Sequence, residues 1–290
     1  MELRAAGSAL PVVMTIAGFD PTGGAGVSGD LKTIAAHNCY GVAVVTSLAV
    51  QSTSALLGRH DVSAAVVSQQ IQALAEDMPL AAVKVGMLGS AANVEAVAAA
   101  IEKYAPPFVV LDPVFRSTSG AELLDGEGVE ALRARLLPRV TVITPNIDEA
   151  ARLTDQTISS IEQMKGAAAA LHAAYGVRVV ITGGHLEKPQ DVYYDGDNYS
   201  VFAGDRIPSE NTHGTGCAFS SAVAANLALG KSLPDAIVLA KAYVTTAIEK
   251  GYALGRGQGL LNHLYRLQGS TQARPVAVTE MAESHAAGHR

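Results

Sequence analysis

Cysteine is nearly absent from this 290-residue chain: Cys39 and Cys217 are the only two. No disulfide framework or cysteine-rich zinc site can be built from them, and a reduced, cytoplasmic compartment is expected. Basic residues are also scarce, 21 against 27 acidic ones, for a formal net charge of −6. No basic run occurs, which argues against nucleic-acid binding, since that function leaves a positive patch or stripe. Long apolar runs are missing too. A stretch such as Tyr40 to Val50 falls well short of the ~20 residues that cross a bilayer as a helix, so no membrane partner is expected. The start of the chain, MELRAAGSALP, has no apolar segment of the signal-peptide kind.

What remains is ample core material. Hydrophobic residues make up 49% and charged residues 17%, the balance of a folded domain rather than a disordered chain. Short β-branched runs, at Val12–Ala17, Val42–Val50, Ala82–Val85, Phe108–Leu111, Val140–Thr144 and Arg178–Thr182, alternate with alanine-rich stretches. The latter predict helices near Gly26–His37, Ala64–Ala75, Ala91–Tyr104, Gly128–Leu136, Asp148–Leu153 and Ile161–Tyr175. Repeated strand–helix–strand units imply an α/β fold with a mostly parallel sheet covered on both faces. Asp195-Gly196-Asp197-Asn198 predicts a hairpin between Asp191–Tyr194 and Tyr199–Phe202. Helices are expected at about Gly216–Leu229, Pro234–Lys250 and Leu260–Leu267. The reading is one domain over 12–268, after an N-terminal extension of residues 1–11 and before a polar tail, 269–290, expected to be disordered.

The ends of the strands carry the functional signal. They run into Gly18, Gln51, Gly86-Met87, Asp112-Pro113, Pro145-Asn146 and Gly183-Gly184-His185. Turn chemistry explains any one of these. Six together mark a binding edge, because an open parallel sheet binds ligands outside the carboxyl ends of its strands. Gly24-Ala25-Gly26-Val27-Ser28-Gly29 matches G-x-G-x-x-G, but six residues separate it from Ala17 and no acidic residue lies between Asp30 and Asp61. A dinucleotide site needs the glycine at once after the strand and an acid for the ribose, so this match is a decoy. No G-x-x-x-x-G-K-[ST] loop is present.

Asn211-Thr212-His213-Gly214-Thr215-Gly216-Cys217, followed directly by an apolar helical stretch, is built to offer backbone N–H groups to an anion, as a phosphate, at a helix N-terminus. A tight helix start with a packed cysteine is the alternative. At such an end the Cys217 thiol pKa can fall below its usual ~8.5. Asp112 and Glu149 suit Mg²⁺, which takes one or two carboxylates plus phosphate oxygens, while Asn146 caps the helix that follows it. His185 and His213 fall in candidate site loops but carry no catalytic assignment.

Thr15–Gly26, Lys84–Leu88, Leu111–Val114, Thr144–Asn146 with Glu149, and His213–Cys217 together resemble the bacterial hydroxymethylpyrimidine/phosphomethylpyrimidine kinases of thiamine biosynthesis, members of the ribokinase-like superfamily. The resemblance runs from about Val12 to Leu267. It implies a three-layer α/β/α kinase using ATP and Mg²⁺, and a homodimer. By matched position, Gly18 and Gln51 would hydrogen-bond an aminopyrimidine, Met87 and Val114 would pack on it, and Asp30 would shape the pocket. Asp112 and Glu149 would organise the metal, while Asn146, Thr182 and Gly184 would face the nucleotide. Gly214, Thr215 and Gly216 would form the anion hole, and Cys217 stands at the position of the base, acting either as a thiolate that accepts the hydroxyl proton or mainly by geometry. One position departs: the family pattern has lysine before Gly183-Gly184-His185, and this chain has Thr182. That bears on a second phosphorylation. A pyridoxal or pyridoxine kinase is the nearest alternative. A non-catalytic vitamin-precursor sensor and a nicotinamide oxidoreductase fit the residues less well.

Overall fold

The computed structural model describes residues 10–117, 120–184 and 189–267. Most of the N-terminal extension, His185 and the tail lie outside them. Within the described residues, strands β1 (Val12–Phe19), β2 (Tyr40–Gln51), β3 (Leu56–Asp61), β4 (Leu80–Val85), β5 (Val109–Leu111), β6 (Val142–Ile143), β7 (Arg178–Ile181), β8 (Gln190–Tyr194) and β9 (Tyr199–Ala203) form one sheet. Their order is β3-β2-β1-β4-β5-β6-β7-β8-β9. The six strands from β2 to β7 are parallel. The edge strand β3 and the β8–β9 hairpin add antiparallel pairings.

Alternate residues of each central strand feed two cores, because side chains change face at every step. Met14, Ile16, Val83, Val85, Val109, Leu111, Ile143 and Val179 pack with α2 (Ala64–Asp77), α3 (Ala91–Tyr104), α4 (Gly126–Ala131), α5 (Ile147–Thr154) and α6 (Ile161–Tyr175). Val13, Ala82, Val110, Val142 and Val180 pack with α1 (Gly26–Ala36), α7 (Thr215–Ala228) and α8 (Leu233–Glu249). The fold is therefore the expected three-layer α/β/α sandwich. Helix α7 is buried from Ala218 to Leu227, and its alanines let it lie between the sheet and its neighbouring helices.

Three local expectations change. Strand β3 escapes a reading by β-propensity, because Leu56–Asp61 is LLGRHD. It forms by pairing with the overhanging half of β2, with Leu48 opposite His60 and Val50 opposite Gly58. The run Val140–Thr144 contributes only the two ladder residues of β6. The stretch Leu260–Leu267 is not a helix. Leu260 exchanges backbone hydrogen bonds with Tyr252 at 2.8 Å each way, leaving a single 3₁₀ turn at Tyr265–Leu267.

Candidate active site at the carboxyl edge of the sheet

The glycine-rich loop after β1 is organised by Asp20. Its carboxylate accepts from the Thr22 amide and hydroxyl at 2.9 Å each and from the Ala25 amide at 3.1 Å. The His213 Nε2–H donates to it at 2.7 Å. Burial pushes the Asp20 pKa up, but the hydrogen bonds from His213 and Thr22 outweigh this and hold it below the usual carboxylate value. His213 is buried, contrary to the exposure usual for a loop. It ties the 211–217 loop to the 20–26 loop.

Gly214 caps α7 with φ +83° and no side-chain cap. A Cβ here would run into the Gly24 carbonyl, so both conformation and space demand glycine. The first-turn amides of α7 thus stand at the positive end of a buried helix without a side-chain cap, that of Thr215 donating to the Thr212 carbonyl at 3.3 Å. Asp112 lies beside them. A Cβ on Gly216 would stand 3.9 Å from its Oδ2, and Ser220 of α7 donates to the same oxygen at 3.3 Å.

Asn146 and Glu149 form a reciprocal capping box at the start of α5. The Glu149 amide donates to Asn146 Oδ1 at 2.9 Å, and the Asn146 amide to Glu149 Oε2 at 2.8 Å. Burial and the neighbouring Asp112 charge push the Glu149 pKa well above the usual value. Burial likewise raises Asp112. Two carboxyl groups that resist ionising together are a donor set that a hard divalent cation would stabilise. Among the described residues no cluster of three or more metal-ligating side chains occurs. The pair therefore fits Mg²⁺ completed by phosphate oxygens rather than an all-protein cage. Thr182 bridges to Asn146 across the ends of β6 and β7, and Gly184 is exposed beyond it. The Gly183 amide is fixed by Asp191 Oδ1 at 3.0 Å, and Asp191 is in turn paired with Lys241 of α8.

The expected pocket residues converge in part. The Met87 side chain covers Gly18 so closely that a Cβ there would lie 2.9 Å from Met87 Cε. Gln51 Nε2 is 3.5 Å from His213 Nε2, which places the end of β2 against the anion loop. Val114 is half-buried just after Asp112. Asp30 does not line this pocket. It is fully buried on α1 and bonded to Lys84, Thr15 and Ser221. The Cys217 thiol, partly exposed at the start of α7, is pushed away from the thiolate form expected of it. Burial, with Asp112 and Asp30 nearby, pushes the thiol up to about 12 despite the Lys84 ammonium and the Gly26 amide. The helix end alone does not offset that desolvation. Sequence reasoning missed Asp20 and Lys84 as parts of the site and left His213 unassigned. The K-x-G spacing of Lys84-Val85-Gly86 is the available clue, since a Cβ on Gly86 would lie 2.7 Å from the Lys84 ammonium.

An anion-binding helix end beside a carboxylate pair, on an α/β/α sandwich, defines a phosphotransferase of the ribokinase-like kind. Residues 20–262 match the family model for phosphomethylpyrimidine kinase, and the chain belongs to that family. It is 40% identical over 253 residues to the hydroxymethylpyrimidine/phosphomethylpyrimidine kinase of Aquifex aeolicus, covering 87% of this chain and 99% of that one. It is 44% identical over 254 residues to the thiamine biosynthesis bifunctional protein ThiED of Geobacter sulfurreducens, covering 87% of this chain but only 52% of that protein. Among solved structures, the pyridoxal kinase of Staphylococcus aureus in complex with AMP-PCP and pyridoxal superposes with a TM-score of 0.83 at 32% identity, covering 90% of this chain and 96% of that one. Phosphomethylpyrimidine kinase of Clostridium difficile gives 0.74 at 35% identity, with 82% and 99% covered. Among the described residues no helix is long and apolar enough to cross a membrane.

The electrostatics of Glu149 make a testable sign. Its folded-state pKa is raised, so the ionised form is disfavoured on folding, and stability falls as pH rises above the unfolded value. Glu149→Gln keeps an acceptor for the Asn146 amide. In metal-free buffer it should melt higher than the parent at pH 7–8. The difference should vanish below about pH 4, where the unfolded carboxyl is itself protonated. Thermal melts across pH check this, and a lower melting point for Glu149→Gln at pH 8 would contradict it.

Proposed function

We propose that this protein transfers the γ-phosphoryl group of Mg-ATP to the hydroxymethyl oxygen of 4-amino-5-hydroxymethyl-2-methylpyrimidine, and then phosphorylates the resulting monophosphate. The observation that carries the reading is the 3.5 Å approach of Gln51 to His213. It leaves one small molecule able to touch the Gln51 amide and, two residues beyond His213, the amides of the anion loop. An aminopyrimidine offers a donor amine beside an acceptor ring nitrogen, the complement of a glutamine amide. Gly18 lets the ring approach the backbone, and Met87 and Val114 supply apolar cover.

Phosphoryl transfer asks the protein for position and charge stabilisation more than covalent work. The amides of Thr215, Gly216 and Cys217 would hold the migrating group where negative charge spreads over its oxygens. Asn146, Thr182 and Gly184 would border the nucleotide phosphates. Mg²⁺, held by Asp112 and Glu149, would neutralise charge on the phosphate oxygens when bound. The high Cys217 pKa favours a neutral thiol that orients the hydroxyl, with the hydroxyl proton passing late in a loose transition state to an oxygen of the transferred phosphoryl group. The protein is read as a cytoplasmic homodimer acting on small molecules, with no nucleic-acid partner.

A mass-spectrometric product assay with the hydroxymethylpyrimidine and Mg-ATP tests the reading directly. Mono- and diphosphate products are expected, and no product would end it. The pyridoxal kinase neighbours motivate a second arm, in which kcat/KM for pyridoxal should be the lower of the two. Gln51→Ala should raise the pyrimidine KM by about 10–100-fold with little change in kcat, the signature of lost uniform binding. Thr182→Lys should raise kcat/KM for the second phosphorylation relative to the first, by adding a cation at the nucleotide edge. The pH profiles of kcat for the parent and Cys217→Ala should run parallel between about pH 6 and 9. A rise of about tenfold per pH unit in the parent alone would instead identify the thiolate as base.

A further inference from the structure

Asp30 and Lys84 form an ion pair with no solvent exposure on either side chain. The mechanism above does not use it. The Asp30 carboxylate, one turn into α1, accepts four hydrogen bonds from three other elements. Lys84 of β4 donates to Oδ1 at 3.0 Å and Oδ2 at 2.9 Å. Thr15 of β1 donates at 2.5 Å, and Ser221 of α7 at 2.8 Å. The preceding residue of α7, Ser220, donates to Asp112. Two consecutive serines in the second turn of α7 are thus anchored to two different carboxylates, one on α1 and one at the end of β5. The first turn they fix is the one whose amides face the sheet edge.

The cost of this arrangement argues against simple stabilisation. Desolvating two charges consumes most of what their attraction returns, and apolar packing of the same volume commonly serves stability as well. Burial opposes charge on Lys84, yet the Asp30 carboxylate bonded to it holds its ammonium above the ordinary lysine value. Gly86 is kept free of a side chain where the ammonium passes, with Lys84 Nζ 2.7 Å from the position a Cβ would take. Space has been kept for a cation aimed up the strand at the site, not for a packed apolar residue.

We propose that the buried Asp30–Lys84 pair is a positioning device for phosphoryl transfer, locking the start of α7 so that its amides are preorganised for the migrating group. Neither residue touches substrate. The consequence for kcat rests on the kinase reading above, whereas the consequence for the order of α7 does not.

The test uses the full chain and the double variant Asp30→Asn/Lys84→Met. Single replacements leave a buried charge unpaired and are expected to melt far below the parent. The double variant removes both charges, keeps an acceptor for one of the Thr15 and Ser221 hydroxyls while its amide NH2 donates to the other, and should recover most of the melting temperature. Its kcat should nonetheless fall by ~10²-fold, the scale of an ångström-level misplacement. KM for the pyrimidine and for ATP should stay within about threefold of the parent, since uniform binding is untouched. Hydrogen exchange followed by peptide mass spectrometry should be about tenfold faster over residues 214–221 and unchanged over α8. A double variant with parental kcat, or with parental exchange at 214–221, overturns the proposal. So does faster exchange spread over α7 and α8 alike, which would mark a general structural role. If the parent itself makes no phosphorylated pyrimidine, the kinase reading fails and the exchange arm alone decides this one.

Discussion

The carbonyl of Gly24 is the point on which the active-site architecture turns. Side chains on Gly29 and Gly214 would both collide with it, and the buried His263 Nε2–H donates to it at 3.2 Å. Burial keeps that imidazole neutral by pushing its pKa down to about 4, so the donor persists at any working pH. One backbone oxygen therefore brings together the start of α1, the cap of α7 and the segment after Tyr252. Two helix N-termini can meet over the same stretch of sheet only because glycine stands at each contact. The G-x-G-x-x-G spacing of Gly24, Gly26 and Gly29 follows from this packing. It owes nothing to a dinucleotide.

The architecture was readable in the sequence because its signals are local. Apolar runs such as Val109–Leu111 and caps such as Asn146 with Glu149 lie within a few residues of one another. The carboxyl-edge placement of Gln51, Asp112 and Asn146 then followed from the parallel topology alone. What escaped depends on distant partners. Strand β3 exists because β2 overhangs its neighbour β1, not because LLGRHD favours extension. Leu260 leaves a helical pattern because Tyr252 offers it a backbone pair. Asp30 reads as a pocket residue from its position beside the glycine-rich loop, but its partner Lys84 lies 54 residues on. Nothing in the local pattern announces that the two side chains meet. The Cys217 thiol shows the same limit. The helix end is visible in the sequence, whereas the desolvation that overrides it is a property of the assembled site.

Charge is distributed in this site so that binding must be shared. Asp112 and Glu149 bring two carboxyl groups together at the carboxyl edge of the sheet, and Thr182 supplies no countercharge there. Among the described residues two positive features stand near them. The amides of α7 carry only partial charge, and the Lys84 ammonium is bonded to Asp30 below the surface. Neither can neutralise a triphosphate alone, and the two carboxyl groups resist ionising side by side. A divalent cation arriving with the phosphates would relieve both problems at once, favouring the ionised carboxylates and screening the phosphate oxygens. Nucleotide affinity should therefore depend more steeply on the divalent ion than on any one side chain. On the proposed reading, the protein's task is to hold the amides of α7 still while that charge redistributes.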